Sequence, residues 1–85
     1  MTHKRLQVHM PATYQIRVQG VLNQNWSDRL GGMTINAAGQ DSEAPVTTLS
    51  GRLLDQAALC GVLNTLHDLR LPLLSVDCED WEDED

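Results

Sequence analysis

Apolar and polar residues fall into register at residue 13. Tyr14, Ile16 and Val18 alternate with Gln15, Arg17 and Gln19 as far as Gly20. A period of two with β-branched and aromatic side chains predicts a half-buried strand, apolar on one face and polar on the other. The preceding residues 1–12 carry His3 and His9, show no period, and are read as a flexible N-terminal arm. Between Asn23 and Gly32 the pattern shortens. Asn25 is an N-cap candidate, Asp28 falls in the first turn, and Gly31 supplies a left-handed stop, which predicts a helical turn of about five residues. Trp26 and Leu30 would share a face and plug one edge of the core.

Met33-Thr34-Ile35-Asn36 and Val46-Thr47-Thr48-Leu49-Ser50 read as a second and a third strand across a polar loop, with Gly51 closing the third. Asp55 then caps a helix in which Leu59, Val62, Leu63 and Leu66 recur at i, i+3, i+4 and i+7. Gly61 lies inside it, and a close approach to the sheet would account for the glycine. The helix must end before Pro72. Leu73-Leu74-Ser75-Val76 reads as a fourth strand, buried on at least one face. The expected class is α+β: a four-stranded, mostly antiparallel sheet in the order β-β-β-α-β, one main helix on one face, and a short helical turn after the first strand. The expected strand order is third, second, first, fourth, with the fourth parallel to the first and a right-handed crossover before it. The alternative puts the fourth strand beside the third. Either way one sheet face lacks a helix, and Gln15, Arg17, Gln19 and Thr34 would lie there beside Leu73 or Leu49.

Charge divides the chain unevenly. Of 85 residues, 12 are acidic and 6 basic, a net charge of −6. Residues 77–85 hold seven of the acids and no base, leaving five acids against six bases in residues 1–76. The expected organisation is therefore an arm over 1–12, one domain over 13–76, and an acidic, disordered tail over 77–85. Scattered bases form no patch, so neither nucleic acid nor an anionic membrane surface is an expected partner. No apolar run approaches a membrane span and no secretory leader is visible, so the expected location is cytoplasmic.

Candidate chemistry is sparse. His3, His9 and His67 lack metal-ligand spacing, and the tail lacks the glycine and alternating ligands of a calcium loop. Cys60 and His67 are seven residues apart on one helix, about 10 Å along its axis, too far for a nucleophile and its base. Cys60 and Cys78 are expected as reduced thiols, with a bridge left open. Gly31-Gly32 beside Ser27-Asp28 could expose amides to an anion, but reads better as a capped turn with a glycine stop. No catalytic residue, cofactor or metal is expected.

Some longer runs are distinctive. Trp26-Ser27-Asp28, Leu30-Gly31-Gly32-Met33-Thr34-Ile35, Thr47-Thr48-Leu49-Ser50-Gly51, Asp55-Gln56-Ala57-Ala58-Leu59, Gly61-Val62-Leu63 and Leu71-Pro72-Leu73-Leu74-Ser75-Val76 together resemble a group of small uncharacterised bacterial proteins. The likeness covers residues 13–76 and stops before the tail. It implies a small bacterial protein of unknown function and carries over no catalytic residue.

These features favour a non-enzymatic protein-interaction module over an enzyme. Its partners would be a second copy, through the uncovered sheet face, and another protein. Trp26, Arg29 and Trp81 are the candidate contacts, Trp81 because it is an aromatic side chain among carboxylates. The alternative is a small-ligand or enzymatic pocket between Trp26 and Gly32, with Tyr14, Asp28 and Arg29 nearby. A third reading has the tail imitating nucleic acid on a basic protein.

Overall fold

In the computed structural model, which describes residues 10–39 and 41–79, strand β1 (Ala12–Gln19) turns Ala12, Tyr14, Ile16 and Val18 inward, as its alternation requires. A 3₁₀ helix follows (Gln24–Leu30), then β2 (Thr34–Ala38), β3 (Val46–Leu53), helix α1 (Gln56–Asp68) and β4 (Leu73–Cys78). The fold is α+β, with the expected element order and one main helix. The sheet is antiparallel throughout, in the order β2-β3-β1-β4.

That order corrects both expected ones. β4 lies beside β1 and antiparallel to it, and β3, not β2, takes the other side of β1. Ladder length explains the choice. β3 and β1 are each eight residues long and pair along their whole length, from Ala12 opposite Leu53 to Gln19 opposite Val46. β2 has five residues and would leave much of β1 unpaired, so it takes the edge. The long link through the 3₁₀ helix carries the chain past the position beside β1. β3 and β4, both antiparallel to β1, run in the same direction with β1 between them.

The sheet contributes Leu49, Leu53 and Ile35 to the core besides the inward residues of β1, and α1 lays Val62 and Leu66 over them. The chief contacts of α1 are with β3 and the 3₁₀ helix. Asp55 caps α1, its carboxylate accepting from the Ala58 amide at 2.8 Å. The helix ends with Leu71 N–H donating to the Leu66 carbonyl at 3.2 Å. Arg70 there takes φ 63°, a left-handed position usually given to glycine.

Several local expectations change. The first helical segment is 3₁₀, seven residues long, and capped by Asn23, whose side chain accepts from Asn25 N–H at 2.8 Å. The cap is therefore not Asn25, and Asp28 is outside the first turn. Gly51 does not close β3, which runs on to Leu53. A Cβ at Gly51 would sit 3.2 Å from Met33 Cα, so this glycine lets the chain cross the strand closely. Leu49 and Leu73 do not join the polar face. Leu49 lies opposite Ile16, and Leu73 opposite Val18, so both belong to the helix side.

Gly61 is also corrected. It is exposed, and a Cβ added there would meet nothing within 4 Å, so no close approach to the sheet requires it. A helix-interior glycine costs about 1 kcal/mol relative to alanine. Gly61→Ala should therefore stabilise the protein by about 1 kcal/mol and raise Tm by about 4–8 °C. A lower melting temperature by circular dichroism would refute this.

Candidate interaction surface

The expectation for β4 was burial on at least one face. Instead Leu73 is 52%, Leu74 48% and Val76 37% exposed. Val76 lies opposite Ile16 and Cys78 opposite Tyr14, so these side chains are on the helix side of the sheet. They are uncovered because α1 packs towards the 3₁₀ helix and β3. The two leucines and Val76 form one apolar strip on a strand at the sheet edge.

The backbone of that edge has a definite polarity. Glu79 N–H donates to the Thr13 carbonyl at 2.8 Å, which makes Thr13 and Glu79 a hydrogen-bonded pair. Antiparallel pairs alternate, so Gln15–Asp77 and Arg17–Ser75 are bonded pairs as well. The N–H and C=O groups of Val76 and Cys78 therefore point away from β1, to the free edge, while Leu74 is the extra residue where the register shifts between Ser75 opposite Arg17 and Leu73 opposite Val18. The other edge strand, β2, is shorter and exposes Thr34 and Asn36. Beside β4 lies a groove of about 210 Å³, lined by Leu63, Leu66, His67, Leu71, Pro72 and Leu73. Ser75, on the opposite side of β4, has a buried Oγ with no hydrogen-bond partner among the described residues.

Trp26 and Arg29 lie elsewhere, on the 3₁₀ helix. Trp26 is half-buried against the core, and the Arg29 guanidinium carbon sits 5.2 Å from its ring centroid. Arg29 is exposed, so this cation–π contact is worth only about 0.5–1 kcal/mol. Arg29→Ala should lower stability by no more than that in urea denaturation; a larger loss would mean that the pair anchors the turn. Trp81 lies outside the described residues.

The glycine turn holds no free amides. Gly31 N–H and Gly32 N–H both donate to the Ser27 carbonyl, the second at 2.8 Å, and Ser27 Oγ donates to the Met33 carbonyl at 2.7 Å. These groups tie the turn to itself. Gly31 takes φ 69° and abuts Leu53, whose Cδ2 would lie 2.6 Å from an added Cβ. Of the polar groups expected beside a ligand pocket between Trp26 and Gly32, Arg29 lies over the Trp26 ring and Asp28 is exposed. The Tyr14 hydroxyl, also expected near such a pocket, is buried without a partner among the described residues.

Among the described residues no three His, Cys, Asp or Glu side chains converge to hold a metal ion. Cys60 is exposed, Cys78 is half-buried, and both are free. No helix among the described residues is long and apolar enough to cross a membrane.

A family profile described as a domain of unknown function, DUF8691, matches residues 13–77. The chain belongs to that family. The match begins in β1 and ends in β4, so it takes in the helix, the apolar strip and the groove, and it leaves out Trp81. No curated protein and no solved structure matches the chain.

Proposed function

We propose that this domain is a non-enzymatic protein-interaction module that docks an extended protein segment along the free edge of β4. The observation that carries the reading is the coincidence of three features on one strand. Leu73, Leu74 and Val76 are exposed, the N–H and C=O groups of Val76 and Cys78 face outward, and an apolar groove lies alongside. Unpaired edges are normally blunted by charge, proline or a covering loop. The middle of β4 carries no charged residue before Asp77. Strand addition takes affinity from backbone hydrogen bonds and specificity from pockets for alternate side chains, and this edge offers both.

In this reading the docking surface is the β4 edge rather than the uncovered sheet face. That face presents Gln15, Arg17, Gln19, Thr34 and Arg52, which suit contact with water better than a dry interface. Trp26, Arg29 and Trp81 are secondary contacts in this reading, which also keeps the cytoplasmic location expected of a chain with two free thiols. A photoactivatable amino acid at Leu74, compared with one at Thr34 on the opposite edge, tests the reading in cells. Protein adducts at Leu74 but not at Thr34 are the expected result. Equal labelling at both positions, or none at Leu74, would remove the β4 edge as the docking surface.

A further inference from the structure

We infer that the segment received at the β4 edge is basic: an extended stretch of another protein that reads basic-x-basic-apolar-x-apolar from its N-terminal end. This rests on the edge reading above and goes further by naming the chemistry of the occupant. The edge changes character along its length. One end carries Asp77 and Glu79, both exposed, and no basic side chain lies between Leu71 and Glu79. Asp77 lies opposite Gln15, and Glu79 N–H donates to the Thr13 carbonyl, so both carboxylates belong to the polar side of the sheet, two residues apart. The other end is apolar, with Val76 and Leu73 on the helix side and the groove beside Leu73.

Strand addition turns these two ends into a sequence pattern. Directly opposed side chains of paired strands share a face of the sheet. Residues set opposite Asp77 and Glu79 therefore lie on the polar side, where lysine or arginine meets a carboxylate and an acidic residue is repelled. The residue opposite Val76 lies on the helix side and covers exposed apolar surface. The outward backbone groups are those of Val76 and Cys78, and the register shift at Leu74 interrupts the ladder beyond them. Two residues past the position opposite Val76, about 7 Å on, the next helix-side residue of the added chain comes level with Leu73. The groove there has a volume of about 210 Å³, and an apolar cavity of about 150 Å³ takes up benzene, so the groove has room for one leucine or phenylalanine side chain. Antiparallel pairing is the more stable per residue, and it puts the basic residues first in the added chain. With so short a ladder, the charged end and the groove carry the recognition.

Selection of short random peptides displayed on phage, with the full chain as bait, tests the inference. The enriched peptides should carry lysine or arginine at alternate positions, followed by two apolar residues at alternate positions. In fluorescence anisotropy the double variant Asp77→Lys, Glu79→Lys should bind such a peptide about tenfold or more weakly, since each attractive cross-strand pair becomes a repulsive one. Selection repeated on that variant should replace the basic pair by an acidic one and keep the apolar residues. Leu73→Ser should have the complementary effect, relaxing the last apolar position while the basic pair persists. Circular dichroism checks that both variants fold, and the exchange of charge in the selected peptides is a gain that an unfolded protein could not produce. Enriched peptides without basic residues, binding indifferent to the charge reversal, or no enrichment at all would each overturn the inference. Photo-labelling at Leu74 by a protein segment of another composition would leave the edge reading standing without it.

Discussion

Leu49→Ala is expected to remove about 2–5 kcal/mol of folding stability, the largest loss from any single truncation considered for this protein. Leu49 is 0% exposed on the central part of β3. Its cross-strand partners are Ile16 on β1 and Ile35 on β2, so it joins three of the four strands on their helix side. Truncation deletes buried methyl groups and leaves a cavity that the flanking strands, tied by their ladders, are poorly placed to fill. A chain of 85 residues has little in reserve, since small domains bury a modest fraction of their surface. Urea denaturation should therefore show a much lower midpoint with an unchanged slope. A loss below about 1 kcal/mol would mean that the site collapses around the missing side chain.

Thr47→Val tests a different force with almost no change of shape. Thr47 is a buried polar residue of the core, and its hydroxyl does two things at once. It donates to the Gly20 carbonyl at 2.6 Å and accepts from Leu22 N–H at 3.2 Å. These bonds fix the path of the chain as it leaves β1 for the 3₁₀ helix. Valine keeps the volume and strands both backbone groups, so a loss of about 1–3 kcal/mol is expected. Thr47→Ser keeps the hydroxyl and gives up one methyl, for about 0.8 kcal/mol. Thermal melts of the pair separate the hydrogen bonds from the packing. A valine variant as stable as the serine variant would show that water reaches Gly20 and Leu22.

The sequence was most legible where a period ran unbroken. The alternation of Tyr14, Ile16 and Val18 located β1, and the Leu59–Leu66 stripe located α1 together with its Asp55 cap. Strand order was less legible because it depends on ladder lengths, and β3 continues through Gly51 past its apparent end. Glycine was ambiguous for a related reason. Gly51 marks a close crossing by Met33 and Gly61 marks none, yet each appears in the sequence only as a breaker inside an element. The candidate surface was hidden by composition. Leu73-Leu74-Ser75-Val76 has the apolar content of a buried strand, and its exposure arises from the lateral position of α1, which no local pattern encodes. That the buried Ser75 hydroxyl has no partner among the described residues likewise depends on neighbours distant in sequence.

The position of β1 bears on the order in which this chain can acquire its structure. Among the described residues, the strand that comes first in the chain lies in the interior of the sheet, and its two neighbours are β3 and β4. Tyr14 must wait for Gly51 on one side and for Cys78 on the other. Such long sequence separations slow folding, because loop closure precedes the contacts that reward it. On the ribosome, β1 would be exposed on one flank until the last strand emerged. Until then, the edge of β1, whose inner face carries Ala12, Tyr14, Ile16 and Val18, would be open to a neighbouring nascent chain.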